Sequence, residues 1–285
     1  MKNNGCPVCG CDNIKKQTTS KGLILLCARC SFCAAEVRSE IQRCADYGLL
    51  LESVRDMRIK NFNKIILQIK EKIHKKEING LEIGCAGGLF MELAAAQNIH
   101  MIGIEPMEKS FNEAKAKGLN VVKGFFPEDF KGLEKFDFIV FNDTFEHIPD
   151  INRIIGECSL RLNENGFVII NLPVSTGILF RTASFLSFFG IEKFLNRLWQ
   201  FETDSPHVSY FNAKNLSFLM QKYGFVADCR VKQCVFILKN LKNRIKAVNG
   251  NIIFCNIVFV LLVLLKPFID FFPKDVECLF FKKMR

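Results

Sequence analysis

The chain has 285 residues, 49% of them hydrophobic, with 39 Lys and Arg against 29 Asp and Glu and a formal charge of +10. That length allows one generous domain with appendages or two small ones, and the apolar fraction is ample for a buried core, which excludes a chain without globular structure. The charge favours an anionic partner, whether nucleic acid, a nucleotide-linked substrate or an anionic membrane surface, and does not choose among them.

The opening Met1-Lys2-Asn3-Asn4-Gly5 runs straight into cysteines with no apolar stretch, so no signal peptide is expected. Thirteen cysteines, many in apparent core strands, point to the reducing cytoplasm. Those at the start are ordered: Cys6-Pro7-Val8-Cys9 and Cys27-Ala28-Arg29-Cys30 are two C-x-x-C knuckles with seventeen residues between Cys9 and Cys27. This spacing predicts a zinc ribbon over residues 1–33, with Cys6, Cys9, Cys27 and Cys30 around a structural Zn²⁺, the alternative being free or redox-active cysteines. Leu23 to Leu26 reads as the strand entering the second knuckle, and Cys11 and Cys33 are spare thiols. A closed four-thiolate site has no open position for catalysis and supplies folding energy to a module too small to bury a core. Residues 34–76 read as a helical connector, with Ile41, Cys44, Tyr47, Leu51 and Val54 three or four apart and the basic residues on a solvated face.

The stretch Leu81-Glu82-Ile83-Gly84-Cys85-Ala86-Gly87-Gly88-Leu89-Phe90 reads as a buried strand, a glycine-rich turn and a helix start. Such a turn lets a ligand lie against main-chain amides at the helix N-terminus, with the Glu82 carboxylate facing it. A dinucleotide fold wants G-x-G-x-x-G, and here the third glycine falls one place early. The pattern Glu82-x-Gly84-x-Ala86-x-Gly88 instead resembles the first motif of class I S-adenosylmethionine-dependent methyltransferases. After a helix from Phe90 to Gln97, the strand His100 to Glu105 delivers a carboxylate seventeen residues past Gly88, about one βαβ unit, where an acidic residue can accept from both ribose hydroxyls. A helix near Phe111 to Lys117, a short strand at Leu119 to Lys123 and the loop Gly124-Phe125-Phe126-Pro127-Glu128 follow. Phe136 to Asp143 reads as the fourth strand, bringing Asn142 and Asp143 to the sheet edge where ligands of open α/β sheets bind.

Thr144-Phe145-Glu146-His147-Ile148-Pro149-Asp150 resembles the E-H-[IL]-x-D segment of ubiquinone-type and sugar methyltransferases. Asn163-Glu164-Asn165-Gly166 stands where that family has a Lys-Pro-Gly-Gly turn before the strand Phe167 to Pro173. The resemblance implies that Glu82, Gly84, Ala86 and Gly88 hold the methionine end of the cofactor, Glu105 the ribose, Phe126 and Glu128 the adenine, and Asn142 or Asp143 the floor beneath the methyl. Asp143 and His147 are candidate general bases, and Glu146-His147 reads equally as an internal pair fixing the loop.

Phe180 to Trp199 suits helices over the cleft. Ser205-Pro206-His207-Val208-Ser209-Tyr210-Phe211-Asn212 resembles the P-H-x-x-Y-F-[SN] segment of bacterial glycan and small-metabolite methyltransferases, in which His207 orients the lid or faces the acceptor; the alternative is a buried, satisfied histidine beside an N-cap. A helix from Ala213 ends at Gly224, and Phe225 to Val231 is a sixth strand. The apolar run Ile252 to Leu265 is short for a membrane span and suits a buried or interfacial helix. It sits in a hydrophobic insertion over 239–275, expected either to cap the cleft or to dip into the cytoplasmic membrane face with the aid of Lys239, Lys242, Arg244 and Lys246, before a final strand in 276–285.

The expected architecture is α/β: a Rossmann-like seven-stranded class I methyltransferase sheet, 77–238 with its lid, plus an N-terminal zinc ribbon and a hydrophobic helical C-terminal insertion. The expected function is methyl transfer from S-adenosylmethionine to a small-molecule, sugar or lipid-linked glycan acceptor, in the cytoplasm or peripherally on the membrane's cytoplasmic face. The rivals are an RNA methyltransferase that docks nucleic acid through the ribbon, marked by steep salt dependence, and a non-catalytic binding protein that takes no cofactor.

Overall fold

A computed structural model of the chain describes residues 5–37, 48–234, 241–242, 245, 252–269 and 271–284. The first three strands, β1 (Ile14–Thr18), β2 (Gly22–Cys27) and β3 (Cys33–Val37), form an antiparallel ribbon. Helix α1 (Gly48–Lys72) then leads into the main sheet. Its parallel part is β4 (Ile78–Ile83), β5 (Ile99–Glu105), β6 (Val121–Lys123), β7 (Phe136–Asn142) and β8 (Leu162–Pro173), linked by α2 (Leu89–Ala95), α3 (Glu108–Ala116), a 3₁₀ turn at Phe145–His147 and α4 (Ile151–Arg161). Helices α5 (Ile178–Ser187) and α6 (Lys193–Leu198) and the short strand β9 (Ser209–Tyr210) precede α7 (Ala213–Gln221), β10 (Phe225–Lys232), α8 (Ile252–Ile269) and β11 (Val276–Lys283).

The seven strands lie in the order β6-β5-β4-β7-β8-β11-β10, with β11 inserted antiparallel to both β8 and β10. This is the Rossmann-like arrangement expected from the sequence. Strand β7 is buried along its whole length, as a central parallel strand covered on both faces must be, so it reads as a continuous apolar run. One face of the sheet is covered by α4 and α7, through Ile154, Ile155, Leu216 and Leu219. The other is covered by α1, through Phe62, Ile65, Ile66 and Ile69, a stripe at helical spacing that Ile73 continues just past the helix end.

The connector differs from expectation. The chain from Cys33 to Val37 is extended, because pairing with β2 and β9 overrides the helix propensity of Ala34 and Ala35. Ile41, Cys44 and Tyr47 lie outside the described residues, and the stripe that buries α1 begins at Phe62.

The ribbon is built into the protein rather than hung from it. Strand β9, which comes after more than 170 further residues, is the fourth strand of its sheet, with Cys33 opposite Tyr210 and Ala34 opposite Ser209. Ile24 and Cys33 share an apolar cluster with Trp199, Phe201 and Tyr210, and Phe32 packs on Phe211 at 4.9 Å between ring centroids. Phe211 in turn touches Phe145 of the main core at 5.4 Å.

Helix α8 carries the apolar run. Its stretch before Lys266 rises about 21 Å at 1.5 Å per residue, short of the ~30 Å hydrocarbon core, and among the described residues no helix is long and apolar enough to cross a membrane. Cys255 packs on Leu241 and Ile245, whereas Ile257, Val260, Leu261 and Leu264 are each more than half exposed. Lys242 stands over the Phe259 ring; Lys239, Arg244 and Lys246 lie outside the described residues.

Candidate active site

The glycine turn is the hinge of the site. Gly84 has φ +71°, and a Cβ there would meet the Thr144 side chain at 2.5 Å; Gly88, at φ +81°, caps α2, and a Cβ there would come within 2.2 Å of Leu119. Only glycine satisfies both the left-handed backbone and the close approach. Ala86 also adopts a positive φ, 47°, an unusual conformation for a residue with a Cβ. Its amide donates to Glu105 Oε2 at 2.8 Å, while Glu105 Oε1 accepts from Met107 N at 2.9 Å. Glu105, at the end of β5, therefore braces the turn through both oxygens. Burial raises its pKa, opposed by those two amides. On the outside, Lys117 Nζ donates to Gly87 O at 2.7 Å and pairs with Glu92 and Glu113.

A cleft of about 600 Å³ opens along this edge, lined by Glu82, Gly84, Cys85, Ala86 and Gly87 on one wall and by Met107, Ser110 and Glu113 towards α3. Glu82 is 2% exposed; its Oε1 accepts from Asn142 Nδ2 at 2.8 Å. Among the described residues its Oε2 has no hydrogen-bond partner, and neither does Asn142 Oδ1. Burial pushes the Glu82 carboxyl up to about 8, with the Asn142 hydrogen bond and Arg58 opposing. A buried acid with an orphaned oxygen facing a cleft is the complement of a cationic or hydrogen-bond-donating ligand group.

The far end of the cleft is built from the turn after β7 and from the segment between α6 and β9. Asp143 has φ 52° and accepts from Arg58 at 3.0 Å. Arg55 and Arg58 of α1, His147, Gln200, Thr203, Asp204 and Ser205 complete the lining. His147 Nδ1 lies 3.0 Å from Pro206 O and 3.2 Å from Ser205 Oγ, and burial lowers its pKa.

Several expected site residues are thus gathered at one edge: Glu82, Gly84, Ala86, Asn142 and His147 line the cleft, and Gly88, Glu105 and Asp143 hold its walls. Others are not brought there. Phe126 is buried in the core between Phe130 and the Arg161 guanidinium, and Glu128 is turned outward into an ion pair with Arg153. His207 is 5% exposed and sits behind His147, ring centroids 4.7 Å apart, so it meets no cleft ligand directly. Arg55 and Arg58 escaped sequence reading because their place depends on α1 folding back across the sheet edge, a contact with no local signature.

At the ribbon, Cys6 and Cys30 have sulfurs 3.6 Å apart and Cys9 and Cys27 3.5 Å apart, and all four Sγ atoms lie within 4.8 Å of one another as free thiols. Sulfurs 2.3 Å from a tetrahedral Zn²⁺ stand about 3.8 Å apart, so the cluster fits that ion.

A glycine turn on the first strand of a Rossmann-like sheet, with acidic residues ending that strand and the next, defines a class I methyltransferase-type α/β protein. The chain belongs to the methyltransferase domain family, whose model matches residues 54–229. It is 35% identical over 127 residues to a ubiquinone biosynthesis O-methyltransferase of Pelagibacter ubique, across 39% of this chain and 53% of that one. The chain spans about half the length of the curated relatives it matches. Among solved structures it resembles a SAM-dependent methyltransferase from Archaeoglobus fulgidus (TM-score 0.54, 18% identity, 84% of this chain and 100% of that one). It also resembles a magnesium protoporphyrin IX methyltransferase from Synechocystis with bound SAH (TM-score 0.53, 10% identity, 84% and 90%). At these identities the structural likeness is one of fold.

The raised pKa of Glu82 has a consequence for stability. The folded protein keeps a proton that the unfolded chain releases near pH 4.5, so this group's contribution is full below that pH and is lost as pH rises through about 8. Glu82→Gln is expected to flatten the fall in unfolding free energy between pH 5 and 8 relative to wild type, as read by denaturant titration. Parallel curves for the two proteins would show that Glu82 is ionised in the folded state.

Proposed function

We propose that the protein transfers a methyl group from S-adenosylmethionine to a hydroxyl of a small-molecule, sugar or lipid-linked glycan acceptor. The observation that carries this is the orphaned, buried Glu82 Oε2 beside the glycine turn. It is matched to the ammonium of the cofactor's methionine end, while Arg55 and Arg58 across the cleft suit the carboxylate of that moiety. When bound, the sulfonium supplies a methyl already activated for displacement. The work of the chain is then positioning: Glu105 holds the ribose, the amides of 84–88 join Glu82 at the methionine end, and Asn142 lies under the transferring group. His147 lines the acceptor end. Its Nδ1 must donate to the Pro206 carbonyl, which leaves the other ring nitrogen to accept a hydrogen bond from the acceptor's hydroxyl. An oxygen acceptor is supported by the printed activity of the Pelagibacter relative.

The four-cysteine cluster is proposed to hold a structural Zn²⁺. Through β3 and β9 that ion would steady the lid segment carrying Thr203, Asp204 and Ser205. A lipid-linked acceptor is supported by exposed apolar side chains on α5 and α6 (Phe185, Phe194), in the turn between them (Phe188, Phe189) and on α8, together with the net positive charge.

Calorimetric titration with S-adenosylmethionine, with NAD as the control, tests the central reading. Selective binding is expected, weakened by about 1–3 kcal/mol in Glu105→Ala through loss of charge-assisted hydrogen bonds; binding of NAD alone, or of neither, sinks it. Cobalt substitution of the ribbon should give thiolate-to-metal charge-transfer absorption that disappears in Cys27→Ser, and a spectrum without that band refutes the zinc assignment. Sedimentation with anionic vesicles is expected to fall when Leu261 and Leu264 are both changed to Ser; equal sedimentation removes α8 from any membrane contact.

A further inference from the structure

Behind the cleft wall, Glu146, His147 and His207 converge, with one ligand atom from each lying within 4.8 Å of the others. Glu146 is 1% exposed, and among the described residues its Oε2 has no hydrogen-bond partner. His207 Nε2 is 3.9 Å from Glu146 Oε1. A buried carboxyl with an open oxygen, facing an imidazole beyond hydrogen-bond reach, leaves a gap that a cation would fill.

The hydrogen bonds around the two rings assign their tautomers. The Tyr210 hydroxyl has a single proton and donates it to Leu198 O at 2.9 Å, so it accepts from His207 Nδ1 at 3.1 Å. His207 therefore carries its proton on Nδ1 and presents a lone pair at Nε2. For His147, the partner of Nδ1 is a carbonyl, so Nδ1 again carries the proton and Nε2 the lone pair. Each histidine thus has one nitrogen pinned by an oxygen and the other free, the arrangement that outer partners impose on metal-ligating histidines.

We propose that Glu146, His147 and His207 form a second, His₂Glu site for a divalent transition-metal ion of the Zn²⁺ class, separate from the four cysteines and open on the side of His147, which lines the cleft. Nitrogen and carboxylate ligands about 2.0–2.1 Å from such an ion stand about 3.3 Å apart, so the three side chains close by roughly an ångström on binding. The donor set of two imidazoles and one carboxylate suits Zn²⁺ and its neighbours rather than Mg²⁺ or Ca²⁺. An ion here would take the acceptor's oxygen as a ligand in place of that oxygen's hydrogen bond to His147.

Metal content after dialysis against buffered micromolar Zn²⁺, read by atomic emission, tests the site without reference to cofactor binding or methyl transfer, so its outcome is independent of the functional reading. Wild type is expected to hold two equivalents per chain. Glu146→Gln and His147→Ala should each hold one, and Tyr210→Phe, which frees His207 Nδ1, should weaken the second equivalent about tenfold or more. His147→Ala sits at the cleft wall and decides the matter if Glu146→Gln does not fold. A metal content that is the same in wild type, in His147→Ala and in folded Glu146→Gln overturns the proposal, whatever the four cysteines hold.

Discussion

Three carboxyl groups at one edge of the sheet, those of Glu82, Glu105 and Glu146, are held at 2%, 5% and 1% exposure, and the rest of the site is arranged around the cost of burying them. An acid in a low-dielectric interior must find donors, a cation or a proton. Glu105 finds two backbone amides and in doing so sets the shape of the glycine turn. Glu82 finds only Asn142, and Glu146 faces a histidine at 3.9 Å. The groups that lack full compensation stand along or just behind the cleft, which is where incoming ligands can supply it.

The second organising contact is the short pairing of β3 with β9. Two residues of the lid complete the ribbon's sheet, and the same segment ties back to the 3₁₀ turn, since Val208 N donates to Glu146 O at 2.9 Å. Phe32, Phe211 and Phe145 then form a continuous aromatic path from the cysteine cluster to the core beneath the catalytic edge. The ribbon thus packs behind the site, against the segment that carries Thr203, Asp204 and Ser205, although none of its described residues lines the cleft.

Much of this was legible in residue order. Continuous apolar strands, the left-handed glycine turn at 84–88 and the paired cysteine knuckles are local signals, and each element from β4 to β8 lies near its expected place. What local pattern does not carry is partnership across long separation. Ala34 and Ala35 look helical until Ser209 and Tyr210 pair with the strand that contains them. Arg58 looks like a solvated cation until α1 brings it to Asp143. Phe126 and Glu128, placed at the adenine by resemblance, are drawn instead to Arg161 and Arg153. Glu146 and His147 were visible as neighbours, but their convergence with His207 depends on the lid and ribbon together.

The insertion of β11 between β8 and β10 bears on how the protein is made. Strand β8 is complete once residue 173 has left the ribosome, yet one of its edges has no partner until residue 283 follows, so the nascent sheet carries an open edge for more than a hundred residues of synthesis. The apolar helix α8 emerges within that interval, before the strand that closes the sheet. The stretch of translation between β8 and β11 is therefore when this chain is most exposed to aggregation, and when a chaperone has most to bind.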